Sequence, residues 1–408
     1  MTIKFSSKEI HFLKTDSDDF TITPPETYLS DLLLEKTTPI TVVETKLAQA
    51  KKTGKKFLCA VLEMTSTTSD AVLEKGADVF EATFNAFWDP QKGLWEPLSQ
   101  TSFVLVFWDQ GNGKKASHRL VSFKEKLSVA LKTTVLMGAA IFPHHDFSEP
   151  QTIANAVKAF DHAAFFGPDT LIYFDATSLN ISADRLYQQG QYDRAIAEYK
   201  KGLDLAPTDI NLINSLGVCF GVMDNLDQAK LEFKRALAIT PNEVLVVYNM
   251  GLLYQINGEM NKAIQQLRNA HDIDDAIFEV ELLLGHLLFK NGQPDPAMPH
   301  LETASRINPK SGSAFRMKGE IYLAKNLPEK AGHEFNTAIK LNPGDAISLS
   351  GYAVAMAHQD KNLGIAVSFA KNSIALQPDN HLFKERLKAI LEKIEGHTPL
   401  PEETIKSA

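Results

Sequence analysis

The one dense cluster of histidines in the sequence is His144-His145-Asp146. Imidazole and carboxylate are good ligands for divalent ions, but neighbours on one loop rarely reach the same ion without ligands from elsewhere in the fold. The run is expected to be a solvated loop, and no metal site is assigned. Gly111-Asn112-Gly113-Lys114-Lys115 has the glycines and lysines of a phosphate cradle. It lacks the Gly-x4-Gly-Lys-Ser/Thr spacing that wraps backbone amides around a phosphate, and reads more simply as a loop before a helix. No Gly-x-Ser-x-Gly turn raises a serine nucleophile. Trp88 and Trp95 flank the turn Asp89-Pro90-Gln91-Lys92-Gly93 and are expected as core or hairpin anchors rather than stacking platforms for a ligand. No catalytic group and no cofactor follows from these residues.

The bulk numbers are those of an ordinary globular protein and argue against a nucleic-acid-binding or membrane-spanning one. At 408 residues the chain is too long for one ordinary core. Its net charge of −8 is spread evenly, with 18 basic against 22 acidic residues before position 176, so there is no basic stripe to grip phosphates. No apolar run approaches the ~18 residues of a membrane span. The start mixes charges through Met1–Lys14 without an apolar core, so no secretory signal and a cytoplasmic protein are expected. Cys59 and Cys219 each lie inside an apolar run and read as small buried hydrophobes.

Residues 39–175 alternate short apolar runs with helical patterns, which predicts an α+β domain built on a mixed sheet with helices. Candidate strands are Phe57–Leu62, Phe103–Phe107, Thr134–Ile141 and Leu171–Phe174. Candidate helices are Val42–Lys51, Ala77–Phe87, Ala116–Lys132 and Thr152–Phe165. Four strands interleaved this way could form one sheet covered on one face. Residues 1–38, with Pro24-Pro25 and many hydroxyl and acidic side chains, read as an irregular arm.

From about residue 176 the sequence repeats every 34 residues. Small residues recur at Ala183, Gly217, Gly251, Gly285, Gly319 and Ala353. Alanines follow at Ala195, Ala229, Ala263, Ala297 and Ala331, then Tyr199, Phe233, Leu267, Leu301 and Phe335. Most units close on proline: Pro207, Pro241, Pro309 and Pro343. Each unit reads as two short amphipathic helices joined by a turn at Gly190, Asn225, Gly258, Gly292 or Asn326. The small residue and the alanine let the two backbones approach, and the proline ends the second helix. One such unit cannot bury its apolar face alone, so the units must stack. Thr177-Ser178-Leu179-Asn180 predicts a shortened first helix in the first unit, and Pro299 a distorted first turn in the fourth unit's second helix. His381–Ile394 reads as a capping helix within 380–396, and residues 397–408 as a disordered tail.

This pattern, over residues 176–379 and six units, resembles the tetratricopeptide repeat (TPR), which implies an all-α superhelix that binds a protein or peptide partner in its concave groove. Carrying the family's inward positions onto this chain implies a groove of Asn214, Val218, Val222, Tyr248, Asn249, Leu252, Ile256, Leu283, His286, Phe289, Arg316, Met317 and Glu320. The lysines of the carboxylate-clamp variety are missing, so an amphipathic helix or extended apolar segment is expected rather than a C-terminal carboxylate. Residues 39–175 resemble the GGDEF domain of diguanylate cyclases. Val61-Leu62-Glu63 sits where that family's first strand ends in a metal-binding Asp, and Gly76 and Asp78 match its Gly-Asp pair. Thr134–Ala140 with Pro143 is similar to its Ser-Ile-Gly strand. The signature turn, however, reads Ser99-Gln100-Thr101-Ser102-Phe103, without its glycines and carboxylates. Two metal ions clamping a phosphoryl group need several carboxylates, and Glu63 alone cannot supply them. The resemblance therefore implies a degenerate, non-catalytic domain. The whole chain is expected to be a scaffold or adaptor in signalling or assembly. The rival expectation is a receptor whose first domain still binds a nucleotide and relays it to a TPR-bound partner.

Overall fold

The computed structural model describes Tyr28 and residues 42–45, 56–65, 71–87, 93–108 and 113–396. The expectations for the rest of the arm 1–38, most of the helix Val42–Lys51, Trp88, Gly111-Asn112 and the tail 397–408 lie outside the described residues. The sheet-bearing part runs β1 (Phe57–Thr65), α1 (Ala71–Phe87), β2 (Gly93–Pro97), β3 (Ser102–Trp108), α2 (Gly113–Leu131), β4 (Thr134–Phe142), α3 (Glu149–Ala164) and β5 (Leu171–Tyr173). Its five strands order as β2-β3-β1-β4-β5, antiparallel except for the parallel pair β4–β5.

Helices cover both faces of this sheet, not one as the sequence suggested. Phe57, Cys59 and Val61 of β1 pack toward α3, while Leu58, Ala60, Leu62 and Met64 pack toward Phe80 and Phe84 of α1 and Leu120 and Phe123 of α2. A strand buried on both sides reads as a continuous apolar run, and the run in β1 is the trace of that double burial. The fifth strand, β2, escaped the sequence reading because it is short and bounded by Gly93 and Pro97, both poor strand residues. Trp95 in it packs edge-on to Phe80 at 5.2 Å and so anchors the hairpin in the core. Both cysteines are free and buried.

Helical hairpins follow without a break: α4 (Ala176–Gln188) with α5 (Tyr192–Leu205), α6 (Ile210–Val222) with α7 (Leu226–Ile239), and α8 (Val244–Ile256) with α9 (Met260–Ile273). Then come α10 (Phe278–Lys290) with α11 (Pro294–Ile307), α12 (Gly312–Ala324) with α13 (Pro328–Leu341), α14 (Ala346–His358) with α15 (Leu363–Leu376), and the final helix α16 (His381–Ile394). The first helix of the first hairpin is not shortened. It has 13 residues like its counterparts, because Asp175 caps it by accepting from the Ser178 amide at 2.9 Å. Pro299 does not interrupt α11, which continues to Ile307. In the second hairpin the turn between Val222 and Leu226 contains the expected Asn225, and its left-handed residue is Asp224 (φ 60°) just before it. Among the described residues no helix is long and apolar enough to cross a membrane.

The chain forms two compact units that divide between Ile239 and Thr240. In the first, the sheet and the first hairpin share a core. Leu179 of α4 belongs to the same buried cluster as Ile153 and Phe160 of α3. Arg185 meets Asp161 at 3.6 Å with both side chains buried, and Lys158 pairs with Glu198. His162 reaches the Ser178 hydroxyl at 3.1 Å and the Asp175 carboxylate at 3.6 Å. Burial alone raises the Asp175 carboxyl, but the hydrogen bonds from His162 and Ser178 outweigh it and hold the group below its ordinary value.

Two outcomes check this packing. A Cβ at Gly138 of β4 would stand 1.9 Å from the Phe160 amide nitrogen of α3, so Gly138→Ala forces sheet and helix apart. Its expected cost is about 3 kcal/mol or more in chemical denaturation, whereas Gly364→Ala in α15, with open space around it, leaves stability equal or higher. A depressed folded value means that Asp175 stabilises above its unfolded value near 3.8 and that this stabilisation is lost as pH falls through the lower folded value. Asp175→Asn, which keeps a capping oxygen, should flatten the acid limb of a stability–pH curve measured with urea.

Candidate functional sites

The first helix of each hairpin is positioned by one interlock that recurs from hairpin to hairpin. In α6, α8, α10 and α12 a glycine faces the residue sixteen positions later in the paired helix. A Cβ on Gly217 would lie 2.6 Å from the Phe233 ring, on Gly285 2.7 Å from Leu301, and on Gly319 2.9 Å from Phe335. Gly251 is looser, at 3.1 Å from Leu267. The four partner side chains have no exposed surface. With this seam closed, each first helix turns its remaining side chains away from its partner.

The residues implied for the groove divide by burial. In the first unit Asn214 and Val218 are buried on α6, while Val222 at its end is 37% exposed. In the second unit Tyr248, Asn249 and Leu252 are buried on α8, and Met317 on α12. Ile256 is 38% exposed, and Leu283, His286, Phe289, Arg316 and Glu320 are half-buried. The charged members are already engaged. Arg316 donates to Asp345, the N-cap of α14, at 3.4 Å, and Glu320 lies 4.0 Å from Arg386 of α16. Burial, with the nearby charges of Lys290 and Arg316, pushes the His286 imidazole below its ordinary value and favours the neutral ring. Of the implied residues on α8 and α10, those not buried are the apolar Ile256, Leu283 and Phe289 together with His286.

In the sheet part, Ser99–Phe103 forms the turn between β2 and β3, with the Leu98 and Ser99 amides donating to the Ser102 carbonyl. Glu63 pairs across the strands with Ser102, whose hydroxyl donates to its carboxylate at 3.3 Å. Burial raises the Glu63 carboxyl, and the Ser102 bond only partly offsets it. Asp78 is exposed on α1. The His145 and Asp146 side chains bond each other on an exposed loop, and no third ligand joins them among the described residues. On the outer surface, α1 and α2 enclose an apolar groove of about 590 Å³ lined by Val79, Ala82, Phe87 and Val129, with Glu125 and Lys126 at its edge.

Sequence reasoning missed one cluster. Glu281 of α10 is completely buried, and its two carboxylate oxygens meet Nδ1 of His271 on α9 at 2.5 Å and Nδ1 of His300 on α11 at 2.8 Å. The rings stand at 88° with centroids 4.8 Å apart. Burial raises the Glu281 carboxyl, but the bonds from His300 and His271 outweigh it and leave the group lowered, hence ionised. Spacings of ten and nineteen residues match no ligand motif. The signal lay in the repeat register: the positions equivalent to Glu281 are Leu179, Ile213, Val247, Phe315 and Leu349, all apolar.

Sequence comparison decides what the hairpins are. Family models match residues 183–221 as "TPR repeat" and residues 282–361 as "Tetratricopeptide repeat". This chain carries tetratricopeptide repeats. Solved structures with similar TPR arrays include YrrB, described as a TPR protein with an unusual peptide-binding site, at 20% identity, covering 47% of this chain and 97% of that one with a TM-score of 0.42. Pseudomonas aeruginosa PilF matches at 18% identity over 52% of this chain and 95% of its own, with a TM-score of 0.48. MamA matches at 23% identity over 40% of this chain and 96% of its own, with a TM-score of 0.37. None of the curated proteins matches the sequence.

Burial predicts how the TPR face responds to truncation. Tyr248→Ala empties a buried site and should cost about 3 kcal/mol. Ile256→Ala, at a 38% exposed position, should cost under about 1 kcal/mol. Urea unfolding of the two variants checks the contrast, and equal losses would contradict this reading of the face.

Proposed function

We propose that the protein is a non-catalytic scaffold that holds a partner protein or peptide on the inner face of its tetratricopeptide repeats. TPR arrays generally mediate protein–protein interaction and are typically non-enzymatic. The observation that carries the reading here is the apolar, partly open set Ile256, Leu283 and Phe289, next to charges that are already paired within the fold. A ligand that gains from such a surface presents apolar side chains rather than a terminal carboxylate, as an amphipathic helix or extended segment does. Val222 in the first unit adds an apolar side chain of the same kind. The groove between α1 and α2 offers the sheet domain a contact surface of its own.

The double change Ile256→Ala with Phe289→Ala tests this. Pull-down from the native host, wild type beside variant, should lose one set of proteins, with helical circular dichroism and melting cooperativity nearly unchanged. Capture that survives unaltered would move the binding site away from this face.

The sheet domain supports a second reading, as a degenerate relative of the GGDEF domain. Glu63 at the end of β1, set against the turn Ser99–Phe103, is the arrangement that resemblance implies. The turn Ser99–Phe103 itself carries no acid, so the domain would be a binding or docking module. Purified protein is expected to form no cyclic dinucleotide from GTP with Mg²⁺ or Mn²⁺. Metal-dependent product above a Glu63→Ala control would overturn that. Calorimetric uptake of guanine nucleotides would favour the receptor reading over a plain scaffold.

A further inference from the structure

We propose that His271, Glu281 and His300 form a binding site for a divalent transition-metal ion, Zn²⁺ in the first instance, that ties the third and fourth repeats together. The three residues come from three successive helices, α9, α10 and α11, and their ligand atoms all lie within 4.8 Å of one another. Zinc in a tetrahedral site binds nitrogen and oxygen at about 2.0–2.2 Å, which sets its ligand atoms about 3.3 Å apart. The two nitrogen–oxygen distances of 2.5 and 2.8 Å must open slightly, and the two nitrogens must come within that spacing. Each adjustment is about 1.5 Å or less and falls within side-chain rotation. Two imidazoles and one carboxylate, without thiolate, suit Zn²⁺, Co²⁺ or Ni²⁺ better than Mg²⁺, Ca²⁺ or Cu⁺.

The protons balance simply. In the ion-free state each Nδ1–H donates to Glu281. On binding, each neutral ring carries its proton on Nε2 and turns the Nδ1 lone pair to the metal, so no proton need be released. The carboxylate leaves the site with a net charge of +1. Both rings keep contact with solvent, at 34% and 17% exposure, which gives the ion a route in and leaves a fourth position for water.

The site is a departure from the repeat in its own chain. Glu281 replaces an apolar residue found in every other unit, and His271 stands where three other units have Leu203, Leu237 and Ile339. A buried carboxylate in such a column is costly unless its charge is compensated. Two histidines reach it from neighbouring helices, and a divalent ion would compensate it more fully.

The register also supplies the test. The preceding unit has Val247, Leu237 and Gln266 at the three equivalent positions. The variant Glu281→Val, His271→Leu, His300→Gln therefore installs side chains that a neighbouring hairpin already packs. Full-length protein stripped with a chelator would be titrated with Zn²⁺ by calorimetry, and separately with Co²⁺ while its visible d–d bands are read. Wild type should take one equivalent with a four-coordinate Co²⁺ spectrum and melt at a higher temperature with the ion. The reverted variant should take none at this site and melt identically with and without metal. If that variant does not fold, His300→Gln alone, at a partly exposed position, should weaken binding by more than the roughly 10–100-fold that outer-layer partners of a metal cost. No uptake by wild type, or uptake unchanged in the variants, overturns the proposal.

Discussion

A missing Cβ opposite a bulky side chain, sixteen residues away and renewed every 34, is the constraint from which the helical part follows. Gly217, Gly285 and Gly319 leave no room for any side chain, so each hairpin closes at one spacing and one rotation. Packing at this density tolerates little adjustment. The first helix then has one face committed to its partner and another left over, and that uncommitted face is the one proposed above to meet a ligand.

The same rule explains how the sheet joins the repeats. The first hairpin replaces the glycine with Ala183 and the ring with Tyr199, whose hydroxyl donates to Asp184 at 2.6 Å. An outer face that later hairpins would bury against a preceding unit is instead given to α3, through Leu179, Arg185 and Glu198. The sheet domain thus covers the first hairpin within its unit, and in the second unit α16 covers the last hairpin with Arg386 on the Ser350 hydroxyl and Lys393 on the Ala357 carbonyl. Exposed apolar ends of a solenoid need such covers.

Period and amphipathicity made the hairpins legible, since each unit repeats its small, aromatic and proline positions in register. Strands β1, β3 and β4 were legible as apolar runs. β2 was not, because glycine and proline at its ends mask a five-residue edge strand. The second covered face of the sheet was hidden because a continuous apolar run does not say how many layers bury it. Inward positions carried over by register say which way a side chain turns but not how far its neighbours cover it. Tyr248 and Leu252 proved buried, while Ile256 on the same helix is open. The His271–Glu281–His300 cluster could be suspected only by aligning the chain with itself and asking why one apolar column holds a carboxylate.

Amide hydrogen exchange on the full chain, free and bound to its captured partner, tests the central claim most directly. Binding on the inner face predicts slowed exchange concentrated in α8, α10 and α12, with α9, α11 and α13 and the sheet little changed. Protection confined to the second helices of the hairpins or to the sheet domain would contradict it.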